Sequence, residues 1–588
     1  MPIFTPSRFL MYARRVVRND QLILSVLALF IGVAGGGAVI VFREGITLIQ
    51  TAFYGSGTES LFKHAQELPW WQLLLAPAAG GLVVGGLVHF FMPGRRPQGV
   101  ADVIEASALK GGRMSLRSGI KAAVVSAASI GAGASVGREG PAVHLGASIA
   151  GWTAKRLHLT RSLSRVLLGC GVAAAVSGSF NAPIAGALFA NEVVIGHYAL
   201  SAFAPVVIAS VTGTAISRIW FGDFPAFIIP EHTIASFLEL PIFAGLGIVC
   251  AVVSIVLMKG IVLSETLAKK TRLPIGLRPA VAGLIVGAIA TIFPQVLGIG
   301  YGATEAALEL SFPLMLFIAM VAAKLIATAV SLGFGFGGGI FSPSLVIGAM
   351  LGSAYGLIVT QAMPGISSGA DAYSIVGMGA VAAAVLGAPI STTLIIFEMT
   401  GDYALTLGVM IAVVVATVIT QQSLGHSFFT LQLERRGLDL KGGYAATLLR
   451  MQSVRQVMSS ESELVSPDVS LQELRLMLQK SKSGELFVVR GNGELYGTIT
   501  LADLSEVAFD HDMDDLIKAG DVARLHPPVV MVDDNLETAL GVMRDTGEEH
   551  IAVVEDKESR IFLGCIHERN VVTAYNRSLV EVRDEEHN

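Results

Sequence analysis

Gly333-Phe334-Gly335-Phe336-Gly337-Gly338-Gly339-Ile340-Phe341-Ser342-Pro343 stands inside a run, Leu325 to Ala370, that contains no Asp, Glu, Lys or Arg. A run of that polarity belongs in hydrocarbon, where about 20 apolar residues make one helical crossing. Five glycines within seven residues do not sustain a helix, so the chain breaks at membrane depth. Irregular backbone is tolerated there only where protein buries it or where it lines a polar cavity, because each unpaired peptide group in lipid costs several kcal/mol. The break therefore predicts an ion or substrate site. Pro343 suits the first turn of a new helix, and the N–H groups of Ile340 and Phe341 at its start suit an anion, with no fixed cation to hold it too long.

Similar breaks are read at Gly131 to Pro141, Ser177 to Pro183 and Gly387 to Pro389. Pro141 and Pro343 lie 202 residues apart, and Pro183 and Pro389 lie 206 apart. The residues before the second pair also match: Gly171-Val172-Ala173-Ala174-Ala175-Val176 resembles Ala380-Val381-Ala382-Ala383-Ala384-Val385. An internal repeat of about two hundred residues follows, and paired interrupted segments point to a transport site at the midplane.

The 588 residues are 53% hydrophobic and 15% charged, against about 25% charged in soluble domains, which excludes one large soluble enzyme. Up to Arg450 there are 28 Lys and Arg against 19 Asp and Glu, a net charge of +9; beyond it 13 stand against 27, a net charge of −14. An apolar basic front and a polar acidic tail are expected to fold separately. Arg8, Arg14, Arg15 and Arg18 precede the uncharged run Leu22 to Phe42, read as a first membrane helix with its basic flank in the cytoplasm. Basic clusters at 110–121 and 155–165 read as loops on the same side. After a last apolar run, Tyr403 to Leu433, both termini are expected to be cytoplasmic, in a multi-pass protein assigned to a bacterial inner membrane. The positive charge is read as setting topology rather than lining a pore. Cys170, Cys250 and Cys565 have no metal-ligand spacing, so neither a disulfide framework nor a metal site is expected. His144 and His197 are lone histidines and read as helix-surface or packing residues rather than metal ligands.

Gly137-Arg138-Glu139-Gly140-Pro141 puts a carboxylate at the mouth of an apolar helix whose first N–H groups and dipole favour an anion. Glu139 there is a tethered anion, holding the site until displaced or protonated. The plainer alternative is a solvated ion pair with Arg138. An ionisable group at a broken helix start within a membrane favours the functional reading.

With Gly178 to Gly186 added, these motifs together resemble the CLC family of chloride channels and proton-coupled chloride transporters. The resemblance implies a homodimer, in a lipid bilayer, of all-α polytopic subunits with an inverted repeat of tilted and broken helices, each subunit having its own anion path. It implies that Glu139 is the gating glutamate, that Gly137, Arg138, Gly140, Gly339, Ile340 and Phe341 surround the anion, and that chloride is the ion. Three departures qualify it. Pro97-Gln98-Gly99 replaces the family's Gly-Ser-Gly, and Gln98 offers both an N–H₂ that suits an anion and a carbonyl that repels one. Phe429 stands where a tyrosine is common and has no hydroxyl to donate. Val193 stands where proton-coupled members carry an inner glutamate; Glu192 precedes it, turned by about 100 degrees. Val193 cannot relay a proton, which favours passive conduction over exchange.

From Val454 the pattern becomes α/β, twice over, and resembles a pair of CBS domains at 454–510 and 520–577. The membrane domain is read as 1–440, a linker as 441–453 and an acidic tail as 578–588. Thr500 and Asp503 resemble the residues by which such domains bind an adenine nucleotide, while His567 and Asn570 replace them in the second unit. The reading is thus a channel gated by Glu139 and regulated by its CBS pair, with a chloride/proton antiporter and a membrane-anchored nucleotide sensor as alternatives. No cofactor is required, no nucleic acid is expected, and with no nucleophile–base pair or phosphate loop in sight an enzyme is not expected.

Overall fold

A proline at the third helical position costs no hydrogen bond, because the N–H it lacks has no intrahelical partner, and the helices open accordingly. In the computed structural model, Pro141 and Pro343 are the third residues of Glu139–Arg156 and Phe341–Ala362, and Pro183 and Pro389 are the first of Pro183–Phe189 and Pro389–Thr400. The structure describes residues 20–58, 60–196, 200–223, 236–438, 449–450, 452–460, 462–481, 484–504, 514 and 516–587. His197, the four N-terminal arginines and most of the linker lie outside these residues. The chain divides into two units, Met1–Leu438 and Asp439–Asn588.

The first unit is helical. Among the described residues, eight helices are long and apolar enough to cross a membrane, and three apolar helices are shorter: Pro183–Ile195, Ile275–Ala290 and Ala370–Leu386. Three expectations about length are corrected. The first helix does not stop at Phe42 but runs to Tyr54, since its charges find lateral partners: the Arg43 guanidinium lies 3.9 Å over the Phe221 ring, and Trp220 Nε1 donates to Glu44 at 3.1 Å. The break expected from Ser177 is confined to Asn181 and Ala182, because helix Arg161–Phe180 keeps Ser179 in its last turn, its hydroxyl donating to the Ala175 carbonyl at 2.7 Å. The run Tyr403 to Leu433 is cut after Leu424 by Gly425, at φ 73°, and restarts at Phe428.

Small residues let the helices of each half touch. A Cβ on Gly146 would lie 2.3 Å from the Gly171 carbonyl oxygen, and one on Gly348 would lie 2.3 Å from that of Gly377. These pairs occupy equivalent places in the two halves, 202 and 206 residues apart. Close backbone approach of this kind drives helix association where lipid supplies no hydrophobic force.

The second unit has two sheets. β1 (Leu464–Val465), β2 (Glu485–Val489), β3 (Leu495–Thr500) and β4 (Arg524–Leu525) form one; β5 (Val529–Met531), β6 (His550–Val554) and β7 (Phe562–His567) form the other. β1 pairs parallel with β2 and β5 with β6, while the β2–β3 and β6–β7 pairs are antiparallel. Each parallel pair is joined through an amphipathic helix. In Leu471–Lys480, capped by Ser470, Leu471, Leu474 and Leu478 share the buried face, and Leu536–Thr546, capped by Asn535, repeats the design. Phe487, Leu495, Ala552 and Val554 of the two sheets share a core. Residues expected as a separate tail from 578 belong instead to a helix, Glu568–His587.

Candidate functional site

The helices starting at Glu139 and Phe341 belong to different halves, and their starts meet. The Gly137 N–H donates to the Gly339 carbonyl and the Gly339 N–H to the Gly137 carbonyl, both at 2.7 Å. Beside this bridge the exchange recurs: the Gly337 N–H donates to Ser129 Oγ at 2.9 Å, and the Ser135 N–H to Ser331 Oγ at 3.2 Å. Ser129 and Ser331 are 202 residues apart, as are Ser135 and Gly337. Reciprocal bonds between equivalent residues are the signature of an approximate two-fold axis relating the halves. Glycine is needed here, since a Cβ on Gly338 would lie 2.4 Å from Val136 and one on Gly140 would lie 3.1 Å from Gly339 Cα. Gly137 and Gly339, expected to contact the anion, thus have their N–H groups engaged with each other and serve to join the two helix starts.

The remaining donors converge. Ser344 is the first residue of its helix to close a helical bond, on the Ile340 carbonyl at 3.0 Å, which leaves over the N–H groups of Ile340, Phe341 and Ser342. Ala142 does the same on Arg138 at 3.1 Å, leaving over those of Glu139 and Gly140. Glu139, only 2% exposed, lies among them. Tyr301 OH donates to its Oε1 at 2.8 Å, and the Ser342 hydroxyl donates to its Oε2. The ion pair with Arg138 is present but buried rather than solvated. Arg138 is itself buried, its Nε is 4.0 Å from Glu139 Oε1, and its guanidinium lies 4.7 Å over the Tyr301 ring.

Two cavities flank this cluster. One, of about 440 Å³, is lined by Gln98, Gly99, Gly140, Gly338, Gly339, Ile340, Phe428 and Phe429. The other, of about 30 Å³, is lined by Arg43, Gln50, Arg138, Gln295 and the 297–303 segment that carries Tyr301. Phe341 lines neither; its ring packs on Phe180 at 4.8 Å. Arg95, Arg96, Lys269, Arg278, Arg435 and Arg436 also line the larger cavity, against one acid, Glu265. Basic residues therefore do line a cavity that can admit anions, contrary to the expectation that positive charge only sets topology. Behind that wall, buried Asp102 holds Arg96 at 2.6 Å and Arg436 at 3.2 Å.

Glu192 is engaged elsewhere. Its two carboxylate oxygens accept from the N–H groups of Ile390 at 3.0 Å and Ser391 at 2.8 Å. Glu398, 206 residues on, does the converse, accepting from Ile184 at 2.9 Å and Ala185 at 2.7 Å. Each half caps the other's short helix. Glu398 was not singled out from the sequence, although its 206-residue spacing from Glu192 equals that of the two prolines. Val193 lies beside Glu192 in the irregular helical turn Ala190–Ile195.

A profile of the family described as voltage gated chloride channel matches residues 80–421. The chain belongs to the CLC family. A CBS domain profile matches residues 454–510 and 519–577. Among curated relatives, a ClcB-like chloride channel protein from Ralstonia nicotianae is 35% identical over 413 residues, covering 70% of this chain and 96% of that protein. The chloride channel protein CLC-f of Arabidopsis thaliana is 29% identical over 549 residues, covering 82% and 69%. Among solved structures, a eukaryotic CLC transporter aligns with TM-score 0.61 at 19% identity, covering 95% of this chain and 98% of that one. A slow cyanobacterial Cl⁻/H⁺ antiporter aligns with TM-score 0.64 at 23% identity, covering 70% and 97%. The membrane unit of this CLC protein is thus multi-pass, and its second unit is a CBS pair.

In that pair, Thr500 and Asp503 face each other across a turn after β3. Asp503 Oδ2 accepts from the Thr500 N–H at 2.7 Å, from its hydroxyl at 2.8 Å and from Arg524 Nε at 3.2 Å. The second unit's His567 packs on His550, with ring centroids 3.9 Å apart and the ring planes tilted by 59°. Close by, Glu485 is 5% exposed. Burial first, then the charge of Glu548, pushes its carboxyl from the usual 4.5 up to about 7, against the pull of Arg524. A carboxyl whose folded pKa is raised favours folding while protonated. That contribution is complete below pH 4.5 and is lost as pH rises through about 7. Glu485→Gln is expected to remove up to about 3 kcal/mol of the stability lost between pH 4.5 and 8, at about 1.4 kcal/mol per pKa unit. Thermal unfolding of the chain at several pH values checks this.

Proposed function

We propose that this CLC protein is a passive chloride channel, modulated by pH or voltage, with Glu139 as its gate. The observation that carries the reading is the buried carboxylate held by Tyr301 and Ser342 where two helix starts meet, with a cavity on either side. The basic wall raises the local anion concentration. An anion leaving it gives up water for the N–H groups of Ile340, Phe341 and Ser342 and the side chain of Gln98. These dipoles bind without fixing a full countercharge, so the ion also leaves. Glu139 occupies the next position as a tethered anion. Protonation removes the charge that the helix starts attract, and the side chain gives way to the ion. Phe429 bounds the path without donating to the ion.

Passive conduction is supported by Val193, which cannot carry a proton, and by the two amides that engage Glu192. Chloride channel relatives agree with it. Coupled exchange is the second reading, favoured by the buried acid itself and by the similarity to a solved Cl⁻/H⁺ antiporter. The protein acts as a homodimer in a bacterial inner membrane, with both termini in the cytoplasm. Its CBS pair adjusts opening, with an adenine nucleotide at Thr500 and Asp503 as the candidate effector. It is no enzyme, and it needs no metal.

Bilayer recording with chloride, fluoride and nitrate at two pH values tests the proposal. Unitary chloride currents that reverse at the chloride equilibrium potential and change with pH are expected. Deleting the chain after Arg450 is expected to leave conduction but alter its regulation; conduction lost in both forms with nucleotide still bound would support a sensor instead.

A further inference from the structure

Gln98 presents one of two opposite faces to the larger cavity. Its carbonyl would repel an anion and its N–H₂ would bind one. Ser118, in the helix Leu116–Gly131, donates its hydroxyl to Gln98 Oε1 at 2.6 Å. That separation suits O–H···O, whose usual range centres near 2.7–2.8 Å, and is short for N–H···O, which centres near 2.9–3.0 Å. The carbonyl end is therefore the end turned to Ser118, and the N–H₂ end is left to the cavity that Gln98 lines. The neighbouring backbone makes the side chain matter more. The Gly99 N–H donates to Asp102 Oδ2 at 2.9 Å, so this loop's amide is engaged by a carboxylate of its own helix. A helix start already holding its own acid is a poor anion site.

We propose that Ser118 is a positioning residue for the anion site: by holding the Gln98 carbonyl it keeps the N–H₂ of that side chain facing the ion and so sets anion selectivity. The inference rests on the anion-conducting reading above. With the hydroxyl removed, the amide is free to turn, and its carbonyl shares the position facing the ion. A single hydrogen bond is worth enough to change that population by about three- to tenfold.

The test uses the full chain in proteoliposomes, with chloride and nitrate flux measured for the wild type, S118A, S118T, Q98A and the S118A/Q98A pair. S118A is expected to lower chloride flux and shift the chloride/nitrate ratio by about three- to tenfold. S118T, which keeps the hydroxyl, is expected to restore both. In the Q98A background, S118A is expected to change nothing further, because there is no amide left to orient. An S118A protein indistinguishable from wild type while Q98A is altered overturns this inference alone, as does an S118A effect that persists undiminished in Q98A. Absence of anion flux from every protein, wild type included, overturns the conducting reading and this inference with it.

Discussion

Glu139→Gln is expected to conduct chloride at every pH, with a flux that no longer varies between pH 4.5 and 8. The substitution keeps the size of the side chain and a group able to meet Tyr301 and Ser342. It removes the charge that two helix starts attract. In the wild type, protonation of Glu139 removes the same charge, and flux is expected to rise as pH falls. The glutamine variant is expected to be flat over the same range. Stopped-flow or electrode measurement of chloride efflux from proteoliposomes at several pH values checks both curves. A variant that carries no chloride at any pH would show that Glu139 builds the pathway rather than closing it.

Replacing Glu192 or Glu398 by Ala is expected to cost about 2–4 kcal/mol of stability, by nearly the same amount for each. Each carboxylate accepts two N–H groups at the start of a short helix in the other half. Bonds to a charged acceptor are worth more than neutral ones, and removing either carboxylate leaves two amides without their acceptor. Equality of the two losses follows from the approximate two-fold axis. Thermal unfolding of the detergent-solubilised chain measures it. Because Glu192 is read as a cap, Glu192→Gln is expected to leave the pH dependence of flux unchanged. A variant that folds normally yet loses that dependence would restore Glu192 as a proton carrier.

What the chain reveals before folding depends on how local the signal is. The breaks at Gly137–Pro141 and Gly338–Pro343 were legible because glycine and proline act on their own few residues, whatever packs around them. The repeat was legible because prolines recur at nearly fixed spacing. Tyr301 was not, since it reaches Glu139 from 162 residues away and no pattern in its own helix sets it apart. Ser342 stood inside the decisive stretch, yet only the meeting of the two halves gives its hydroxyl a partner. The same juxtaposition explains the glycine amides: from sequence Gly137 and Gly339 look like ion ligands, and in the fold each satisfies the other. The basic cavity wall was missed for a related reason. Arg95, Arg96, Lys269, Arg278, Arg435 and Arg436 come from three distant segments, and a charge count along the chain cannot show that they surround one space. For Gln98, sequence named the question and Ser118 supplied the orientation.

An anion is expected to pass Glu139 without obligatory proton exchange, and proton movement in chloride-loaded vesicles tests this. With chloride flowing down its gradient in lightly buffered proteoliposomes, chloride efflux with no uphill proton uptake is expected. Proton uptake against its own gradient, in fixed proportion to the chloride that leaves, would contradict it.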